Sequence, residues 1–143
     1  MTQELMTESI SYLLAQVGKM HRNKAAELLA DVGLYVGQEM FLLHLWQEDG
    51  LTQTEIADCL CVQPATLTRM LDRMEKAGLI ERRQDREDAR VSRVYLTQAS
   101  RDLQEPVEAV WQALERQTLA TFTVEERLLL RRLLLQLLVN LGR

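Results

Sequence analysis

Ala65, Thr66, Arg69, Asp72, Arg73 and Lys76 recur at helical spacing, so they share one face of a helix that begins near Pro64. Arginine is a rigid fork of donors that can grip two acceptors at once. Threonine offers a hydroxyl and a methyl group, and lysine a point charge. Those properties match guanine O6 and N7, the thymine methyl group and phosphate oxygens of a duplex. Gln63, Ala65, Thr66, Thr68, Arg69, Arg73 and Lys76 are therefore the first candidate contact set. A solvated surface helix would carry the same polar face, so the choice depends on the segment C-terminal to it.

That segment has period two. Leu79 to Arg83 and Ser92 to Thr97 read as strands, with Val94 and Leu96 on one side and Arg93 and Tyr95 on the other. The connecting loop from Gln84 to Val91 carries Asp85, Arg86, Glu87, Asp88, Ala89 and Arg90 without Gly or Pro, a charged finger beside the helix. Arg90 suits a narrow minor groove. Asp88, two residues earlier, is placed to orient the Arg90 guanidinium through charge-assisted hydrogen bonds. Asp88, Arg90 and Arg93 join the candidate set.

These groups need a scaffold, and the rest of the pattern supplies one. Ile10 to Leu28 has helical apolar spacing, and Gly33 and Gly37 bracket a break. Met40 to Trp46 is apolar on nearly every face, as a central buried helix requires. After Gly50, Thr52 and Glu55 form a capping box, flanked by Leu51 and Ile56 at the staple positions, so a short helix starts at Gln53 and runs to about Leu60. Pro64 opens the next helix, whose inner stripe is Leu67, Met70, Leu71 and Met74 and which ends at Gly78. Two short helices at a tight turn, the second with a polar outer face, make a helix-turn-helix. Thr97 caps a fifth helix reaching about Ala120, with a kink expected at Pro106. Thr123 and Glu126 form a second capping box, and Leu128 to Leu141 holds more leucine than a lone surface helix should expose. A partner chain is the simplest cover. The fold class is mainly α with a small β-hairpin wing, in the order four helices, hairpin, two helices.

A chain of 143 residues that is 47% hydrophobic suits one domain, 1–143. Its formal net charge of -4 is unevenly spread: Gln63 to Arg101 carries nine Lys and Arg against six acids, a local +3, and the remainder carries -7. Nothing near Met1 reads as a signal peptide, no apolar run approaches the ~20 residues of a membrane span, and a cytoplasmic location is expected. Glycine-rich phosphate loops, nucleophile elbows and convergent acid/base pairs are absent, which argues against an enzyme with a bound cofactor. Cys59 and Cys61 lack the neighbouring ligands a structural metal needs, so no metal is expected. Cys59 should pack with Ile56 and Leu60, Cys61 should be more exposed, and a redox role for the two is the alternative.

The stretches Thr52-Gln53-Thr54-Glu55-Ile56-Ala57, Pro64-Ala65-Thr66-Leu67-Thr68-Arg69, Asp72-Arg73-Met74-Glu75 through Gly78-Leu79-Ile80, and Asp88-Ala89-Arg90 before Val94 to Thr97 together resemble the MarR family of winged helix-turn-helix transcriptional regulators. The resemblance implies a DNA-binding lobe over 33–97 and a dimerisation region over 5–30 and 98–143. It implies a homodimer that grips a pseudo-palindromic operator, with the fourth helix in the major groove and Arg90 in the minor groove. Half-sites about one helical turn apart would result. It also implies a small aromatic or phenolic effector, commonly releasing a repressor, held between the dimer-forming helices and the lobe. Tyr12, His21, Lys24, Met40, His44 and Trp111 are the candidates near such a pocket. Histidines on apolar faces, such as His44 beside Met40, are more often core residues than ligand contacts. A winged module that docks protein instead of DNA is the rival reading, but it would favour exposed aromatic anchors over arginine and threonine.

Overall fold

The computed structural model describes residues 2–142. Within them, eight helices and three short strands succeed one another in chain order: α1 Gln3–Thr7, α2 Ile10–Ala30, α3 Gln38–Gln47, β1 Leu51–Thr52, α4 Gln53–Leu60, α5 Pro64–Lys76, β2 Ile80–Gln84, β3 Ser92–Leu96, α6 Gln98–Arg101, α7 Gln104–Thr118 and α8 Val124–Leu141. The mainly helical class with a hairpin wing is as the periodicity predicts.

One core holds the lobe together. Phe41, Leu42 and Leu45 of α3, Ile56 of α4, Leu67, Leu71 and Met74 of α5, and Ile80, Val94 and Leu96 of the sheet close around one another, with Val107 and Leu114 of α7 on the same cluster. Each of these side chains removed from water contributes roughly 1.5–3 kcal/mol, which is why the polar face of α5 cannot rotate inward. In the hairpin, Ile80 pairs with Leu96 and Arg82 with Val94, and the buried Ile80, Val94 and Leu96 face the core, β2 beside α5 and β3 beside α3 and α4.

Four features differ from the sequence reading. A two-residue strand, β1, pairs antiparallel with β3, giving a three-stranded sheet of order β1-β3-β2. Gly50 leads into it with a φ of 76°, and a Cβ there would lie 2.9 Å from the Tyr95 ring. A short α1, capped by Thr2, precedes the first long helix. Pro106 does not kink a continuous helix. It lies in the first turn of α7, where its missing N–H costs little, and the interruption falls at Asp102 and Leu103. Asp102 is the residue whose carbonyl an amide at position 106 would have bonded.

The fourth difference concerns Cys59, which is exposed rather than packed. On α4 the inward stripe runs through Ile56, Ala57 and Leu60, and position 59 lies about 100° from its centre. Cys61 closes α4 in the left-handed region, φ 53° and ψ 41°, with the Val62 amide donating to the Ala57 carbonyl. A β-carbon is strained there by roughly 1–2 kcal/mol. Cys61→Gly should therefore raise stability by about 0.5–1 kcal/mol after glycine's added unfolded-state entropy is counted. Urea unfolding at fixed protein concentration would read it.

Candidate nucleic-acid interface

The outer face of α5 is built by its inner one. Pro64 sets the first turn, and Leu67, Leu71 and Met74 are buried, so Ala65, Thr66, Thr68, Arg69, Arg73 and Lys76 all point to solvent, as does Gln63 at the N-cap. The Thr68 hydroxyl donates to the Pro64 carbonyl at 3.0 Å, which leaves its methyl group and an oxygen lone pair facing out.

Asp72, read from sequence as part of that exposed face, is instead half-buried and engaged. Arg82 of β2 donates to Asp72 Oδ1 at 2.7 Å and to Glu75 Oε1 at 3.0 Å, while its backbone amide donates to Glu75 Oε2 at 3.1 Å. The Arg82 guanidinium holds the Glu75 carboxyl below its usual range, and Arg82 is itself raised by that same hydrogen bond. Both acids of α5 are thus engaged from the sheet side by one guanidinium, which offsets one of their two charges and leaves neither acid paired with a cation of α5 itself. Arg69, Arg73 and Lys76 have no ion-pair partner among the described residues, which leaves their charge free to face a polyanion. Arg82 escaped the sequence reading, although its period-two position beside Ile80 already points it toward α5.

The wing is held by two carboxylates. Asp85 accepts from Arg93 Nε at 2.6 Å and from the amides of Glu87 and Asp88 at 3.1 Å each, and it is held low by the Arg93 bond. Asp88 accepts from the Arg90 amide at 3.0 Å, from Arg90 Nε at 3.1 Å and from Arg90 Nη2 at 3.2 Å, and the Arg90 bonds hold its carboxyl low. The Arg90 side chain is 91% exposed at the tip, oriented by Asp88 as their spacing predicts. Arg93 differs from its companions. It is only 37% exposed, and it donates Nη1 to the Gly50 carbonyl at 2.8 Å while gripping Asp85. Its role in the structure is to brace the wing against β1. Arg83 lies over the Tyr95 ring, 4.7 Å from its centroid, on the outer face of the hairpin.

Asp49 ties the wing to the helical region. It accepts from the Leu96 amide at 2.9 Å through Oδ1 and from Arg101 Nη2 at 2.7 Å through Oδ2. Asp49 thus joins the wing to the end of α6, as Arg82 joins it to α5.

The six pocket candidates are dispersed. Trp111 borders a cleft of about 340 Å3 between α3 and α7, with Trp46, Leu43 and Val107 among its walls. Tyr12, His21, Lys24, Met40 and His44 do not line it. Tyr12, Lys24 and Met40 are exposed, His21 and His44 half-buried, and Lys24 pairs with Glu27 at 3.2 Å. A separate cleft of about 490 Å3 lies beside α5, lined by Tyr35, Val36, Gln38, Thr66, Arg69, Met70 and Arg73.

One buried acid lies in the first turn of α3. Glu39 is 3% exposed and accepts from the Gly37 amide at 2.9 and 3.2 Å. Burial pushes its carboxyl above the ordinary 4.5, against the lowering by backbone hydrogen bonds and Arg22. A carboxyl raised in the folded state contributes stability that is present below the ordinary value and lost as pH rises through the raised one. Glu39→Gln keeps an acceptor for Gly37 and removes the charge. Its stability relative to wild type should therefore improve between pH 5 and pH 7.5. Parallel urea titrations at the two pH values check this, and a gap that does not change with pH would refute it.

Comparison with known proteins agrees with this geometry. The MarR family model matches residues 34–92. The chain is 30% identical over 125 residues to the HTH-type transcriptional repressor Rv2887 of Mycobacterium tuberculosis, covering 87% of this chain and 90% of that protein. It is 41% identical over 76 residues to the HTH-type transcriptional regulator TtmR of Methylorubrum extorquens, but spans only 39% of that protein's length and 53% of its own. A crystal structure of a mutant MarR from E. coli complexed with operator DNA superposes with a TM-score of 0.86 at 27% identity, covering 94% of this chain and 98% of the other. A three-stranded sheet closing on a helix-turn-helix, a wing arginine held at its tip and a repressor relative matched over 90% of its length lead to one assignment: the chain belongs to the MarR family of transcriptional regulators.

Proposed function

We propose that the protein is a homodimeric, sequence-specific repressor that binds a pseudo-palindromic DNA operator. The observation that carries this reading is the pairing of Asp72 and Glu75 with Arg82 of the sheet, which leaves Arg69, Arg73 and Lys76 exposed and without an ion-pair partner among the described residues, beside a wing tip that presents Arg90. Thr66 and Thr68 with Arg69 and Arg73 read base edges, Gln63, Ala65 and Lys76 contact the backbone or pack on it, and Arg90 enters the minor groove. Asp88 and Arg93 act by positioning.

Dimerisation is supported by the helices outside the lobe. Ile10, Leu13, Leu14, Val17 and Met20 of α2 are exposed, and so are Leu128, Leu129, Leu133, Leu134, Leu135 and Leu138 of α8, a helix with no buried residue in the single chain. Patches of that kind mark interfaces, and two-fold pairing would place two α5 helices on successive turns of one duplex face. Repression rests on the name borne by the Mycobacterium tuberculosis relative. A small aromatic or phenolic effector is proposed to bind between the dimer-forming helices and the lobe and to favour the DNA-incompetent dimer; of the candidates Tyr12, His21, Lys24, Met40, His44 and Trp111, it is Trp111 that borders a cleft in the single chain. No described helix is long and apolar enough to cross a membrane, which accords with a cytoplasmic site of action.

Selection from a random duplex library and subsequent sequencing tests the core of this reading. Wild type should enrich a palindromic motif, bound with a steep salt dependence. No enrichment, and no salt-sensitive binding, would move the function to a protein-docking module. Exposure of both Cys59 and Cys61 favours a second reading, in which oxidation alters DNA affinity. Peroxide treatment of wild type and of Cys59→Ser/Cys61→Ser separates it from the first.

A further inference from the structure

Tyr35 is 79% exposed, although it sits between the buried Leu34 and the half-buried Val36 in the segment that joins α2 to α3. That segment is rigid. Gly33 and Gly37 turn it with φ of 80° and 101°, the Tyr35 amide donates to Gln38 Oε1 at 3.0 Å, and the Gln38 amide donates to the Tyr35 carbonyl at 3.1 Å. Gln38 is itself buried, and Gly37 lies against Met70 of α5, with 3.7 Å between a built Cβ and the Met70 methyl carbon. The loop is thereby clamped to the inner side of the helix whose outer side presents the arginines. Tyr35 borders the same cleft as Thr66, Arg69 and Arg73, and no carboxylate lines it. The phenol has no hydrogen-bond partner among the described residues.

An aromatic ring held out in water at the rim of a positively lined cleft is suited to a polyanion's backbone. We infer that Tyr35 is a further DNA contact, its hydroxyl donating to a phosphate of the strand that runs along the cleft beside α5. The inference rests on the DNA-binding reading above and extends it to a residue outside the helix-turn-helix and the wing. Tyrosine is a common phosphate donor, and a bond to a charged oxygen is stronger than one to a neutral acceptor. Because a phenol is uncharged, it displaces no counterion. Its loss should weaken binding without changing the slope of affinity against salt, whereas loss of an arginine changes both.

Fluorescence anisotropy would compare wild type, Tyr35→Phe and Arg69→Ala on the duplex enriched by wild type from the random library, across a salt series. The expected outcome is about a tenfold loss for Tyr35→Phe with the wild-type salt slope, and with an unchanged melting temperature that excludes a folding defect. Tyr35→Phe binding like wild type while Arg69→Ala is weakened would overturn the Tyr35 contact alone. If both variants bind like wild type, or wild type enriches no duplex, the recognition-helix reading falls and the inference falls with it.

Discussion

Aspartate at both Leu134 and Leu138 will convert the protein to monomers at micromolar concentration and abolish high-affinity operator binding. The two leucines are four residues apart on α8, 44% and 67% exposed in the single chain and so on one stripe. Removing a leucine from water is worth roughly 1.5–3 kcal/mol, and a two-fold interface counts each residue twice. The dimer dissociation constant should rise by about four orders of magnitude or more, with buried carboxylates adding to the penalty. Analytical ultracentrifugation reads the first effect and anisotropy the second. A variant that stays dimeric would place the interface elsewhere, while one that is monomeric yet binds as tightly as wild type would refute two-fold recognition.

Arg69→Ala should cost the operator complex roughly 1–3 kcal/mol in each half-site, which is about 30-fold in affinity at the low end for a dimer. Relaxed preference at the base pair it reads should accompany the loss. Arg90→Ala should weaken binding more evenly across sequences, because minor-groove shape is read more coarsely than major-groove edges. Repeating the library selection with each variant distinguishes the two behaviours. Equal enrichment of the same motif by Arg69→Ala and wild type would remove α5 from the reading.

Sequence alone is most informative where interactions are short in range. The boxes at Thr52 and Glu55 and at Thr123 and Glu126 form as their spacing predicts, and Asp88 reaches Arg90 across two residues. Such partners are fixed by local backbone geometry. Arg82 with Asp72, Arg93 with the Gly50 carbonyl, and Asp49 with Arg101 are separated by 10, 43 and 52 residues. Their pairing depends on how the hairpin docks, which no period conveys. The same limit explains Arg93, whose outward place in the strand alternation signals exposure while its fork is turned back to Asp85 and Gly50. β1 is two residues long and too short to establish a period, and Pro106 signals a kink in a helix that has already paused at Asp102. The dispersed pocket candidates share a cause: helical spacing assigns a residue to a face, and the cavity that the face borders belongs to two helices at once.

α8 has consequences beyond the interface it is proposed to form. If the eighteen residues of α8, none of them buried in their own chain, are covered by a second copy as proposed, much of the folding free energy arrives only on pairing, and thermal stability should climb with protein concentration. In a dilute cell the amount of assembled regulator would then grow as the square of chain concentration, and unassembled chains would be the ones proteases find first. Doubling gene dosage would more than double operator occupancy at low expression, and halving it would do more than halve control.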